Sequence, residues 1–98
     1  MNQVAIVTQE HRIVKAMQLL GDPTRFKMFK LITQQQNMCV SEIAQQLSIS
    51  ASAVSQHFRQ FELLQLVEKR RMGQKICYEP SSNDQLVDEL VKLTNVTN

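Results

Sequence analysis

Residues 40–61 decide the fold, and they read VSEIAQQLSISASAVSQHFRQF. Ser41 belongs to the residue types that accept hydrogen bonds from free helix amides, so it can cap a short helix over residues 42–47. After a turn of three residues, Ser50 can cap a second helix over about residues 51–65. Two helices joined by so short a turn have the spacing of a helix-turn-helix, whose second helix reads the major groove of DNA. This stretch therefore predicts a DNA-reading module.

Two helices and a short strand precede the module. Apolar residues at helical spacing predict a first helix from about residue 8 to residue 20. Asp22 and Pro23 mark the start of a second helix, because aspartate accepts from free amides and proline suits the first helical position. Residues 38–40 read MCV and are long enough only for a strand of a few residues. The order so far is helix, helix, strand, helix, helix.

A hairpin and a last helix follow the module. Residues 67–79 contain two runs rich in basic and β-forming side chains, and Gly73 lies in the turn between them. Pro80 has no amide donor, so it ends the second strand. The last helix, from about residue 83 to residue 93, has an apolar face wider than one neighbour requires. A basic hairpin directly after a reading helix is a wing, so the sequence predicts a mainly α fold with a small β hairpin, a winged helix-turn-helix.

The composition fits one small domain over residues 1–98. The formal net charge of +2 is too small to indicate a nucleic-acid binder, but the charges are unevenly distributed. Residues 52–77 carry five basic and two acidic side chains, whereas residues 78–98 carry one basic and four acidic side chains. The chain has no apolar run of membrane-spanning length and no signal segment, and two cysteines are too few for a secreted disulfide scaffold. We therefore expect a cytoplasmic protein without a membrane partner.

Four segments together match one known family. They read LGDPTR at residues 20–25, VSEIAQQLSIS at 40–50, VSQHF at 54–58, and the wing from Leu66-Val67 to Tyr78. In these segments the chain resembles the ArsR/SmtB family of bacterial winged-helix repressors, over nearly its whole length. The resemblance implies a homodimer through the first and last helices that binds double-stranded DNA at a palindromic operator and releases it when an inducer arrives. The residues do not identify that inducer.

The outward face of the reading helix supplies candidate DNA contacts. The inward face of this helix is marked by apolar residues at helical spacing, Val54, Phe58 and Phe61. The opposite face therefore carries short hydroxyls near the helix start and longer polar side chains further along. Glutamine suits an adenine edge, arginine suits guanine or a phosphate, and basic wing residues suit the DNA backbone. The predicted DNA-binding residues are Ser52, Ser55, Gln56, His57 and Arg59 on the helix and Lys69, Arg71 and Lys75 on the wing.

Strand geometry divides the basic run of the wing. Side chains alternate between the two faces of a strand, so Lys69 and Arg71 share one face while Arg70 points to the other. The three residues therefore cannot all meet the same phosphates. The alternative to DNA binding is that the polar face of the predicted reading helix is an ordinary solvated surface, and that the basic run is a charged strand edge that discourages aggregation.

The segment MCVSEI, residues 38–43, lies where many metal sensors of the family have LCVCDL. Cys39 matches the first thiolate, but the second position is Ser41, a poor ligand for a soft metal. The family's other common site, on the last helix, has an aspartate with a histidine two residues later. Asp84 lacks that partner, and no histidine follows His57. The sequence therefore predicts neither a metal nor another cofactor.

The two cysteines lie on strands that pair in winged-helix folds. Alternation places Cys39 and Cys77 on the same face, opposite the face of Met38 and Tyr78. One hypothesis is that they form a disulfide and make the protein a thiol-redox sensor, because oxidation would reshape the root of the wing. The alternative is that two small residues simply fill a partly covered sheet face.

The residues bear on three classes of function. The leading interpretation is a transcriptional repressor, with redox control through the cysteines as a variant of it. A winged-helix module that only mediates protein association is the rival, since such folds can lose their DNA surface. An enzyme is not expected, because the chain has no glycine-rich phosphate loop and no evident pocket joins Cys39 to His57.

Overall fold

The computed structural model describes the backbone of residues 3–96 and the side chains of residues 9–96. Within that range the elements follow the predicted order, and α1 begins earlier than predicted. The mainly α fold with a small sheet is confirmed. The elements are α1 (Gln3–Leu20), α2 (Pro23–Gln34), β1 (Met38–Cys39), α3 (Val40–Leu47), α4 (Ala51–Leu63), β2 (Val67–Met72), β3 (Lys75–Pro80) and α5 (Gln85–Thr94).

The core is built around aromatic rings from α2, α4 and β3. Phe29 and Phe61 stack with ring centroids 5.8 Å apart, and Phe58 and Tyr78 stack at 4.2 Å. All four side chains are buried, and burying a phenylalanine typically contributes roughly 1.5–3 kcal/mol. These contacts fix the inward face of α4, and they thereby fix the face that α4 turns to solvent.

Two predicted helix starts are confirmed. The Asp22 carboxylate accepts a hydrogen bond from the Arg25 amide at 3.0 Å, and Pro23 is the first residue of α2. The Ser50 hydroxyl accepts from the Ala53 amide at 3.0 Å, and α4 begins at the next residue. Both caps bind amide groups that have no partner within the helix, so each helix starts where its sequence signal places it.

The start of α3 differs from the prediction. Ser41 does not cap this helix; it is an exposed residue of the first turn, and Cys39 is the capping position. The Glu42 carboxylate accepts a hydrogen bond from the Cys39 amide at 3.0 Å, as the third residue of a helix commonly does. Because Glu42 reaches back in this way, the strand ends at Cys39 and Val40 becomes the first residue of α3 rather than the last of the strand.

The sheet has three antiparallel strands in the order β1-β3-β2. Met38 lies opposite Tyr78, and Cys39 lies opposite Cys77. The turn between β2 and β3 contains Gly73 with φ of 67°, a left-handed conformation that glycine adopts without steric cost. The predicted wing is therefore confirmed as the hairpin β2–β3, which is joined to the rest of the fold through the short strand β1.

The last two helix boundaries are slightly shifted. The reading helix α4 ends at Leu63, two residues before the predicted end, and Gln65 adopts a left-handed φ of 59°. Asp84 caps α5 by accepting from the Val87 amide at 3.2 Å. The chain thus turns sharply after α4, so the wing starts directly beside the end of the reading helix.

Candidate nucleic-acid interface

The polar face of α4 is exposed as the sequence predicts. The side chains of Ser52, Ser55, Gln56 and Arg59 are exposed, while His57 is only partly exposed. On the opposite face the three apolar residues at helical spacing are fully buried. The structure therefore brings four of the five predicted helix residues onto one open surface and sets His57 at its margin.

The beginning of α4 is suited to a phosphate. The Ser50 side chain occupies the Ala53 amide, but the amides before it have no partner within the helix because the first turn lacks preceding carbonyls. The exposed hydroxyl of Ser52 lies in that same first turn. Free amides and the positive end of a helix dipole favour an anion, so the start of α4 is an electrostatically suitable place for the DNA backbone.

The wing presents its predicted basic residues in two groups. Lys69 lies opposite Tyr78 and Arg71 opposite Ile76, so these two bases share a face. Lys75 is two residues from Cys77 along β3 and therefore points to the other face. All three predicted wing residues are exposed, but they do not converge on one point. A duplex that contacts all three residues would therefore have to contact both faces of the wing.

Arg70 is held by the wing itself. Its Nη1 atom donates to both carboxylate oxygens of Glu79, at 3.2 and 3.3 Å. Arg70 lies opposite Cys77, so it is on the face away from Lys69 and Arg71, as alternation predicts. This intramolecular pair leaves Arg70 less available to a phosphate than its two neighbours.

Tyr78 connects the root of the wing to the reading helix. Its hydroxyl donates to Oε1 of Glu62 at 3.3 Å. Burial, followed by the charge of Glu62 and this hydrogen bond, raises the pKa of Tyr78 to about 12. The phenol therefore stays protonated and keeps β3 attached to the last turn of α4.

Arg12 is a structural residue that the sequence analysis missed. Its Nε donates to the carbonyl of Leu64 at 2.8 Å, and Nη2 donates to the carbonyl of Gln65 at 3.2 Å. The same guanidinium pairs with Asp84, the cap of α5. No local pattern could have identified it, because its partners lie 52 or more residues away along the chain. Arg12 joins α1 to the end of the reading helix and to the start of α5.

Cys39 and Cys77 are bonded to each other as a disulfide, with Cα atoms 3.7 Å apart. They lie directly opposite in the β1–β3 pairing, which confirms the expected proximity. Both are buried, Cys39 with 6% and Cys77 with 1% of its surface exposed. These are the only two cysteines of the chain, so both thiols are used in one bond at the root of the wing.

In the described part of the chain no three histidine, cysteine, aspartate or glutamate side chains are grouped closely enough to hold one metal ion. Asp84 caps α5 and pairs with Arg12, so its carboxylate has a structural role at this position.

Comparison with known proteins agrees with this architecture. A sequence profile described as bacterial regulatory protein, arsR family, matches residues 22–69, which run from the cap of α2 into β2. The chain is 28% identical over 81 residues to a transcriptional repressor SmtB homolog from Synechocystis sp., covering 83% of this chain and 61% of the relative. It is 32% identical over 74 residues to the arsenic resistance transcriptional regulator ArsR1 from Pseudomonas putida, covering 74% of this chain and 58% of the relative. The chain thus spans about three fifths of the length of these two relatives.

A solved structure has the same fold. It is the homodimeric winged helix-turn-helix DNA-binding domain of a possible ArsR-family transcriptional regulator from Mycobacterium bovis. The TM-score is 0.76 at 23% identity, and the match covers 97% of this chain and 82% of that chain. The fold and the exposed face of α4 define a winged helix-turn-helix protein. The chain belongs to the ArsR/SmtB family of bacterial regulatory proteins.

Between residues 3 and 96 no helix combines the length and the apolar character needed to cross a bilayer.

Proposed function

We propose that the protein is a transcriptional repressor that binds a palindromic operator as a homodimer, with α4 in the major groove and the wing on the flanking DNA. The observation that carries this proposal is the polar, exposed face of α4 beside an exposed basic hairpin. The relatives support it, since one is described as a transcriptional repressor and the related fold as a homodimeric DNA-binding domain.

The contacts divide by their chemistry. Gln56 is suited to the donor and acceptor pair of adenine, and Arg59 to guanine or a phosphate. The exposed serine hydroxyls of α4 and the partly exposed His57 are suited to phosphates. Lys69, Arg71 and Lys75 add charge without sequence choice. Sequence specificity therefore resides in the middle of α4, and most of the salt-dependent affinity resides in the wing.

The homodimer explains the apolar surface that the single chain leaves open. Val14 and Met17 on α1 are 51% and 62% exposed, and Leu93 on α5 is 59% exposed. A second copy of the chain would cover these side chains, and the related fold from Mycobacterium bovis is described as homodimeric. Two copies would also present two reading helices, which a palindromic site requires.

DNA binding is tested by measuring the affinity of the protein for the promoter region of its own gene. Gln56→Ala should weaken specific binding by about 1–3 kcal/mol while leaving binding to unrelated duplexes nearly unchanged, and Arg59→Ala should weaken specific binding by a similar amount. Gln36→Ala is the matched control, because Gln36 is exposed in the turn before β1 and lies away from the wing tip. A wild-type protein that binds no duplex at moderate salt would instead favour the protein-association module.

Dimerisation is tested separately by sedimentation. Met17→Glu places a charge on the exposed apolar face of α1 and should yield monomers with greatly reduced operator affinity. Met72→Glu makes the same change at another exposed methionine, at the end of β2 in the wing, and should leave the dimer intact. A dimeric Met17→Glu protein would remove α1 from the interface.

Redox control is a second candidate function, and the Cys39–Cys77 disulfide favours it. The bond joins the capping position of α3 to β3, the central strand of the sheet and one of the two strands of the wing. Forming or breaking it changes how freely the wing can adjust relative to the helix-turn-helix. We expect the oxidised form to bind the operator more weakly, by about fivefold or more, a range typical of coupling between two sites.

The comparison uses the purified dimer in reduced and oxidised form at one salt concentration. The Cys39→Ser/Cys77→Ser double variant is the control and should bind DNA equally well under both conditions. Equal affinities of the reduced and oxidised wild-type protein would eliminate redox control while leaving the repressor function intact.

A further inference from the structure

A groove of about 230 Å³ opens beside Cys39. Its walls come from the first turn of α3, the first half of α4 and the tip of the wing, and they include Ser41, Ser55 and Lys75. A liquid water molecule occupies about 30 Å³, so the groove has room for roughly seven waters or one small solute. It is therefore wide enough for a reagent of a few atoms to reach the disulfide region.

The groove distinguishes the two cysteines. Cys39 forms part of its wall, whereas Cys77 does not. Cys77 is also the more deeply buried of the two, at 1% against 6% exposed. A small reagent that enters the groove therefore comes into contact with Cys39, whereas Cys77 is not part of the groove wall.

The surroundings of Cys39 also suit an attacking thiolate. Cys39 occupies the capping position of the eight-residue helix α3, next to the free amides of its first turn. Glu42 takes the Cys39 amide itself, which leaves the amides further into the turn for a neighbouring negative charge. Lys75 brings an ammonium group to the same groove. The end of a helix and a cation both stabilise a thiolate, the nucleophilic form of cysteine.

We propose that the groove is the entry site for a small hydroperoxide, that Cys39 is the thiol it oxidises, and that Cys77 is the resolving thiol. This proposal rests on the redox function proposed above and assigns its chemistry to particular atoms. The groove accommodates a hydroperoxide of a few atoms, whereas a disulfide of two peptides is far larger than its volume.

The reaction has two balanced steps. The Cys39 thiolate attacks the terminal oxygen of the hydroperoxide, the O–O bond breaks, and the leaving alkoxide takes a proton to become an alcohol, or water for hydrogen peroxide. Cys39 is then a sulfenic acid. The sulfur of Cys77 attacks the sulfur of Cys39, the S–O bond breaks, and water leaves with the Cys77 proton. Two thiols have lost two electrons to one peroxide, and the Cys39–Cys77 disulfide has formed.

The test compares two reduced single variants of the full chain. Cys77→Ser and Cys39→Ser are each treated with hydrogen peroxide and dimedone, which traps sulfenic acids, and the labelled peptide is followed by mass spectrometry. Cys39 in the Cys77→Ser protein should be trapped at least about tenfold faster than Cys77 in the Cys39→Ser protein, since Cys39 lines the groove and lies at a helix start that favours its thiolate. Equal rates, or faster trapping of Cys77, would overturn the assignment.

A second measurement avoids the variants altogether. Reduced wild-type protein is treated with less than one equivalent of iodoacetamide, and the alkylated cysteine is identified by peptide mapping. Cys39 should carry most of the label, and equal labelling would count against the proposal. Neither measurement contains DNA, so the two proposals can fail separately. If oxidation leaves the operator affinity unchanged, redox control is eliminated but the roles of the two sulfurs still stand. If the two cysteines react equally fast, those roles are eliminated but redox control still stands.

Discussion

Arg12 and Asp84 form a two-point ion pair that connects α1 to the cap of α5. Nη1 donates to Oδ1 at 3.2 Å, and Nη2 donates to Oδ2 at 2.7 Å. The pair is only partly exposed, and the same guanidinium holds two carbonyls at the end of α4. One side chain thus connects both proposed dimerisation helices to the proposed reading helix.

Arg12→Ala should lower the free energy of unfolding by about 1–3 kcal/mol, because it removes charged hydrogen bonds from a partly buried carboxylate and two carbonyls. Denaturant unfolding would measure this loss. Lys92→Ala is the control, since Lys92 pairs with Glu89 on the open surface of α5 and such pairs are worth about 0–1 kcal/mol. Equal losses in the two variants would mean that the Arg12 network contributes no more than a surface pair.

The contribution of Asp84 should depend on pH. The hydrogen bond from Arg12, assisted by the Val87 amide, holds the pKa of Asp84 below its ordinary value of 3.8, although burial opposes this. A lowered folded-state pKa gives stability that is present above the ordinary pKa and is lost as the pH falls through the folded-state value. The stability difference between wild type and Arg12→Ala should therefore shrink in acid. A difference that stays constant down to the acid unfolding of both proteins would contradict this.

The Tyr78 phenol should lose its proton only at a higher pH than an ordinary tyrosine. Its absorbance can be followed without interference because it is the only tyrosine of the chain. Burial first, and then Glu62, raise the pKa of Tyr78 to about 12. A raised pKa gives stability that is complete below the ordinary value of 10.0 and is lost as the pH rises through the folded-state value. Ultraviolet titration of the folded protein should show tyrosinate only above that ordinary range. Tyrosinate formation near the ordinary value would show that the buried contact with Glu62 is not maintained.

The wing residues should differ in their effect on DNA affinity. Arg71→Gln and Lys75→Gln should each weaken binding to all sequences and reduce the slope of log affinity against log salt by about one. Arg70→Gln should change the slope less, because Arg70 is already paired with Glu79. Lys92→Gln is the charge-matched control on α5. Salt titrations with identical slopes for all four variants would remove the wing from DNA binding.

Operator DNA should protect Cys39 from oxidation. Ser55 and Lys75 line the groove beside Cys39 and are also proposed DNA contacts, so a bound duplex would cover the opening. The rate of disulfide formation with hydrogen peroxide should fall when reduced wild-type protein is saturated with operator. An unrelated duplex, at a salt concentration where it does not bind, should leave the rate unchanged. Equal rates of disulfide formation with and without operator would show that bound DNA does not cover the groove beside Cys39.

Much of this fold is encoded in local signals. Asp22-Pro23 and Ser50 begin α2 and α4 as predicted, because a capping side chain needs only a neighbour three residues away. The hairpin was predictable because its strands are adjacent in sequence and glycine relieves the turn. The facing positions of Cys39 and Cys77 followed from strand alternation once β1 and β3 were assumed to pair.

The features that the sequence did not predict depend on competition between neighbouring capping residues or on contacts between residues that are far apart in the sequence. Ser41 and Glu42 are both suitable residues for the start of a helix, and sequence alone does not decide which of them determines the capping position. In the structure Glu42 binds the amide of Cys39, and the helix starts earlier. Arg12 acts through residues that are remote along the chain, so only the assembled fold reveals its role. The division of the wing bases between two faces also required the register, because it depends on which residue of β2 opposes Lys75.

The bond between Cys39 and Cys77 closes a covalent ring around the helix-turn-helix. The two cysteines are 38 residues apart, and the chain between them contains α3, α4 and β2. Closing a loop of this length restricts the unfolded chain and is worth about 4 kcal/mol on a chain-entropy estimate. The restriction falls on the ring alone, whereas α1 and α5 lie outside it. In the oxidised protein the amide hydrogens of α3 and α4 should therefore exchange more slowly than in the reduced protein, while local opening of the two outer helices changes little.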